Sequence, residues 1–151
     1  MSVSETNVFE THSEEETIEL GRRIARELPT RAVVLLIGNL GAGKTTLAKG
    51  IISGLGAAPP EEVTSPTFTL IHEYGEGRVY HIDLYRLDDS KELRTLGLEE
   101  ILERDAVVLI EWGERFPDLV SRSTLRIELN DIRLSAGSRD SDSARQISIS
   151  Q

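Results

Sequence analysis

Lys44 and Thr45 close the run Gly38-Asn39-Leu40-Gly41-Ala42-Gly43-Lys44-Thr45, which fits G-x-x-x-x-G-K-[ST] and is followed by Thr46. In such a run the glycines let the backbone curl until its N–H groups face one centre. The start of a helix adds partial positive charge, and Lys44 adds a full one. That chemistry suits the β- and γ-phosphates of a nucleoside triphosphate, with Thr45 placed to ligate Mg²⁺. The competing reading is a chance glycine turn.

A phosphate loop needs a second carboxylate for Mg²⁺, usually at the C-terminal end of a neighbouring parallel strand. Glu111 directly follows the apolar run 106–110 and fits that place. It would ligate Mg²⁺ directly or through water, or orient an attacking water; otherwise it is a surface Glu that begins a loop. Asp83 is the other candidate. In Tyr80-His81-Ile82-Asp83-Leu84-Tyr85-Arg86, alternation puts His81, Asp83 and Tyr85 on one face and Ile82 and Leu84 on the other. A polar face turned to the nucleotide gives Asp83 a water- or metal-positioning role; a strand-end cap or a partner for Arg86 is the bland reading. His81 reads as a structural or strand-surface histidine rather than a base, because phosphoryl transfer asks mainly for positioning and charge. The hydroxyls of Thr64-Ser65-Pro66-Thr67-Phe68 suit either a γ-phosphate sensor or a hydroxyl-rich turn. Trp112, the sole tryptophan, lies beside Glu111 and would pack under the site, in the core or on a partner surface.

These residues need a scaffold. Val33 to Ile37 is a short apolar run fit for a buried parallel strand before the loop, and Thr46 to Gly56 reads as the helix after it. Upstream, Asn7 to Thr11 fits a short strand. Ser13 with Glu16 three residues on is a capping-box pattern, so a helix is expected from about 14 to 28, where Pro29 stops it. Downstream, Thr67 to Tyr74 and Arg78 to Leu84 form an expected hairpin around Glu76-Gly77. Asp89-Ser90 caps a short helix through Leu96, and Leu98 to Arg104 adds a turn or two. Strands are expected at 106–110, 124–129 and 146–150, with 135–144 a mobile loop rich in Ser, Asp and Gly.

The 151 residues suffice for a single domain, 1–151, with one sizeable core. There is no cysteine, which excludes disulfides, thiolate zinc sites and a cysteine nucleophile. No run approaches a membrane span, and Met1 to Thr11 is polar without a signal-peptide core, so a cytoplasmic protein is expected. The net charge is −9, from 17 basic and 26 acidic residues, which argues against a chain that grips nucleic acid alone over a wide surface.

Taken together, G-x-L-G-A-G-K-T-T at 38–46, S-P-T-F-T-L at 65–70, H-x-D-L-Y-R-L at 81–87 and E-W at 111–112 resemble the TsaE (YjeE) family of small bacterial ATPases. The phosphate loop alone is shared by many NTPases; its combination with H-x-D-L-Y-R and E-W is far more specific. The resemblance implies an α/β fold: a three-layer domain of phosphate-loop NTPase type, with a central, largely parallel sheet and an antiparallel C-terminal hairpin. It implies ATP and Mg²⁺ as cofactors, with Gly41 to Thr45 on the triphosphate and Thr45 and Glu111 bracketing the metal. Asp83 matches a family residue needed for turnover. Glu14 would lie where the family approaches the base, and Arg145 or Arg139 would match a basic residue of the last hairpin near the nucleotide. The family acts with two partner proteins, TsaB and TsaD, in making threonylcarbamoyladenosine at position 37 of tRNA, so tRNA would be met through the complex.

By this reading the chain is an ATPase subunit, slow alone, in which Lys44, loop amides and Mg²⁺ stabilise charge while water attacks the γ-phosphorus. Arg86 or a partner could supply further charge. Two alternatives stay open. One is a small-molecule kinase, with 86–104 and its Arg86, Arg94 and Arg104 as a lid. The other is a nucleotide-dependent binding module with little catalysis. No guanine-reading N-K-x-D motif occurs, which favours ATP.

Overall fold

A computed structural model describes residues 6–66, 70–132 and 144–151. Two apolar runs, 32–37 and 107–110, lie side by side at the centre of one sheet because parallel strands covered on both faces need side chains that bury both ways. The elements in chain order are β1 (Asn7–Thr11), α1 (Glu14–Glu27), β2 (Ala32–Ile37), α2 (Lys44–Gly54), β3 (Ile71–Tyr74), β4 (Val79–Asp83), α3 (Ser90–Thr95), α4 (Leu98–Leu102), β5 (Val107–Glu111), α5 (Pro117–Arg122), β6 (Leu125–Asp131) and β7 (Arg145–Ser150). The sheet order is β1-β7-β6-β2-β5-β4-β3. The β6-β2-β5-β4 centre is parallel, and β3, β7 and β1 join antiparallel to their neighbours. The expected α/β architecture, with its parallel centre and antiparallel C-terminal hairpin, is therefore present.

Strand alternation divides the core into two. Val34 and Leu36 of β2, Val107 and Leu109 of β5 and Val79 of β4 face α1 and α2. Val33, Leu35, Val108, Ile110 and Ile82 face the other way, onto α4 and α5. The same parity puts His81, Asp83 and Glu111 on the α1–α2 face, the side on which the phosphate-loop helix starts.

Helix α1 begins where the capping pattern places it: Glu16 N–H donates to Ser13 Oγ at 3.1 Å. The return bond from Glu16 goes to His12 N–H, at 3.0 Å, one residue before the cap. Helices α1 and α2 cross so closely that only glycine fits. A Cβ on Gly50 would stand 2.0 Å from Ile18 O, and one on Gly21 would stand 2.6 Å from Leu47 O. This crossing sets α2 against the sheet and with it the phosphate loop.

Several boundaries shift. Helix α2 runs from Lys44 to Gly54 rather than from Thr46 to Gly56, because the loop's last turn is already helical and Gly56, at φ 72°, lies beyond the stop. Strand β5 includes Glu111, which pairs with Leu36 on one side and Asp83 on the other. Glu111 is thus the last residue of a strand and buried, not a surface residue that opens a loop. Strand β6 extends to Asp131, paired with Arg145. Thr67, Phe68 and Thr69 at the start of the expected hairpin, and nearly all of the loop expected at 135–144, including Arg139, lie outside the described residues. Among the described residues no helix is long and apolar enough to cross a membrane.

Candidate functional site

The turn from β2 to α2 is built on left-handed glycines. Gly41 and Gly43 take φ of 80° and 100°, conformations that residues with a Cβ rarely adopt. Within the turn Ala42 N–H donates to Asn39 O at 3.0 Å, and Leu40 at its tip is exposed. Gly43 stands as N-cap with no side-chain bond, so the first N–H groups of α2 have no capping side chain. Lys44 folds back over this turn: its Nζ donates to Gly38 O at 2.7 Å and lies 3.9 Å from the centre of the Trp112 ring. Burial pushes the Lys44 ammonium below its ordinary value, and the carboxylates of Glu111, Glu114 and Asp83 partly oppose that shift.

Asp83 and Glu111 end adjacent parallel strands in register. Both are buried. The Oδ1 of Asp83 accepts from Tyr85 N–H at 2.9 Å, so it does cap its strand end while also lining the cleft. The Oε2 of Glu111 lies 2.6 Å from His81 Nε2. His81 is wholly buried, so of the two readings offered for it the structural one holds and the strand-surface one does not. Tyr85 lies beyond the end of β4, where alternation no longer governs it; it turns to Trp112, with ring centres 5.1 Å apart.

The turn and the two strand-end carboxylates line one cleft of about 310 Å³. Gly41, Gly43, Lys44, Thr45 and Thr46 form one wall, while Asp83, Glu111 and Trp112 form another. Glu14 of α1, Ser65 and Arg145 complete the rim. Gly38, Asn39 and Ala42 shape the turn rather than line the space. Arg145 reaches across from β7, donating from Nη2 to Gly41 O at 3.3 Å and from Nη1 to Asp131 at 2.6 Å. A larger cleft, about 490 Å³, lies between α3, α4 and α5 and is floored by leucines. Its carboxylates are Asp118 and Glu99, the latter paired with Arg122, and no glycine of a phosphate loop lines it, so the smaller, polar cleft is the candidate site.

Two further residues bear on the site. Arg115 donates to the carbonyls of Leu84, Tyr85 and Leu87, tying the chain after Asp83 to the segment after Glu111. Glu114 contributes charge toward Lys44. Neither carries a sequence signal, since a charged residue after a turn ordinarily reads as solvated surface. Trp112, already placed beside Glu111 by the sequence, stands at φ 66°, a left-handed conformation that costs a non-glycine residue roughly 1–3 kcal/mol, of the kind found at functional sites.

The donor set fits a nucleotide with its metal. Among the described residues no group of three or more His, Cys, Asp or Glu side chains could hold a metal by itself. Mg²⁺ bound through phosphates needs only one or two protein oxygens, and Thr45 and Glu111, with Asp83 beside them, offer those.

A family model for the threonylcarbamoyl adenosine biosynthesis protein TsaE matches residues 11–140. The chain is 43% identical over 123 residues to the tRNA threonylcarbamoyladenosine biosynthesis protein TsaE of Nostoc, covering 78% of this chain and 74% of that one. It is 40% identical to the protein of that name from Treponema pallidum, over 79% of this chain and 87% of the other. A crystal structure of YdiB from Bacillus subtilis superposes with a TM-score of 0.71 at 30% identity, over 99% of this chain and 87% of that one. The motifs at 38–46, 81–87 and 111–112 thus lie within a match that spans most of the sequence, and the chain belongs to the TsaE family.

Proposed function

We propose that the chain is a Mg²⁺-dependent ATPase that serves threonylcarbamoyladenosine formation in tRNA, acting with partners of the TsaB and TsaD type. The observation that carries this reading is the convergence of the Gly38–Thr45 turn, Lys44, Asp83 and Glu111 on one cleft. Bound Mg²⁺ would supply charge neutralisation at the transferring phosphoryl group. The chain's own part is positional. Loop amides and the start of α2 hold the triphosphate. Lys44, whose Nζ rests on the Gly38 carbonyl and over the Trp112 ring, would exchange part of that environment for phosphate oxygens. Thr45 and Glu111 would hold the metal, and Asp83 would position water or the metal.

Arg145 and Glu14 stand on the rim, where they would contact the nucleotide's outer parts. The kinase alternative gains nothing from 86–104. Arg104 is engaged with the Tyr80 hydroxyl, and Arg94 lines the separate α3–α5 cleft.

The test is ATP hydrolysis by the wild type and by Lys44→Ala, Asp83→Ala and Glu111→Ala, with and without the partner pair. Each variant should lose turnover by about 10²-fold or more, the scale of a lost charge-stabilising group. Unchanged turnover in all three would overturn the site.

A further inference from the structure

Glu111 is a buried carboxylate in need of a hydrogen-bond donor. Lys44 is nearby but turned elsewhere, its Nζ on Gly38 O and over the Trp112 ring. Among the described residues the group within reach is His81, whose Nε2 lies 2.6 Å from Oε2. His81 comes from β4, thirty residues away in sequence, and has no exposed surface. It cannot touch a nucleotide or bulk water and so has no place as a base.

Its other nitrogen, Nδ1, is buried and finds no hydrogen-bond partner among the described residues. This asymmetry is informative. A proton on Nδ1 would bury a donor without an acceptor and set the Nε2 lone pair against a carboxylate. With the proton on Nε2, the short contact is attractive and only an acceptor is left unmatched.

We propose that His81 is a positioning residue for Glu111: its Nε2–H holds Oε2 and fixes how the carboxylate presents its second oxygen to the cleft. The inference rests on the ATPase reading above. Hydrogen-bonded outer partners of ligating carboxylates set their orientation, and their loss costs activity even though they touch no substrate. The H-x-D spacing follows directly. Positions 81 and 83 lie on the same face of β4, so one strand supplies both a cleft carboxylate and the anchor for its neighbour's carboxylate.

The experiment compares His81→Gln with His81→Asn. Both side chains are polar amides, but only that of Gln extends far enough to put an N–H near the place of Nε2. His81→Met, unbranched and without a donor, serves as second comparator should the Asn variant fail to fold. ATP affinity, read by Trp112 fluorescence, should stay close to wild type in all three. The turnover number should fall about 10–100-fold in His81→Asn or His81→Met and largely recover in His81→Gln. Independently, ¹⁵N NMR of the nucleotide-free full chain, which has three histidines, should show His81 as the Nε2–H tautomer. Equal turnover for Asn, Met and Gln, or an Nδ1–H tautomer, would overturn the positioning role while leaving the ATPase reading intact. A wild type without Mg²⁺-dependent hydrolysis would overturn that reading and this role together.

Discussion

Lys44 is held in the cleft by a carbonyl, an aromatic face and three carboxylates at a distance, and burial still prevails over their pull. The sign of its effect on stability follows. Its folded value lies below the ordinary 10.5, so between the two the unfolded chain binds the extra proton. Stability of the nucleotide-free protein should therefore rise with pH through that window, relative to Lys44→Met, which lacks the contribution. Urea unfolding of the pair at alkaline pH measures this; parallel curves would contradict it.

The residues of the loop were legible because they are contiguous and their chemistry is local. Glu111 was legible as a strand-end carboxylate, but its burial was not, since that depends on β2 and β4 flanking it. The His81–Glu111 contact joins two strands, and no spacing within either one signals it.

At the scale of elements, the site depends on how α2 and the strand ends are fixed. The α1–α2 crossing leaves no room at Gly50, where a Cβ would meet the Ile18 carbonyl at 2.0 Å. Because the obstacle is backbone, Gly50→Ala should cost about 3 kcal/mol, the upper end of ordinary overpacking. That is a fall in Tm of roughly 6–12 °C for a chain of this size, readable by calorimetry. An unchanged Tm would mean that the helices can separate freely. Arg115 acts on the other wall through three carbonyls after Asp83. Arg115→Ala should lose about 1.5–3 kcal/mol of stability, the range for hydrogen bonds to a charged group, and should lower turnover more than it weakens ATP binding. Loss of stability with unimpaired turnover would confine Arg115 to the scaffold.

Helix α1 was readable from its capping pattern and apolar period, as were β2 and β5 from their apolar runs. The short α5 was not foreseen. Its six residues begin with Pro117 and bury Leu119 against the sheet, an arrangement that only the packed core specifies.

For the whole molecule, a net charge of −9 sets how it can meet tRNA. A phosphate polyanion and an acidic chain repel at long range, so the chain alone should show no salt-sensitive tRNA binding. A gel shift with the isolated chain, and again with the partner pair, checks this; tight binding by the chain alone would move tRNA contact onto its own surface.

Under the proposed function, ATP turnover in the Gly38–Glu111 cleft sustains repeated rounds of modification. The direct measurement is threonylcarbamoyladenosine formed per complex over time, with the partner pair, ATP, Mg²⁺ and either wild type or Glu111→Gln. Wild type should support many rounds, whereas Glu111→Gln should still bind ATP but stall after about one. Equal multi-round yields from the two proteins would contradict it.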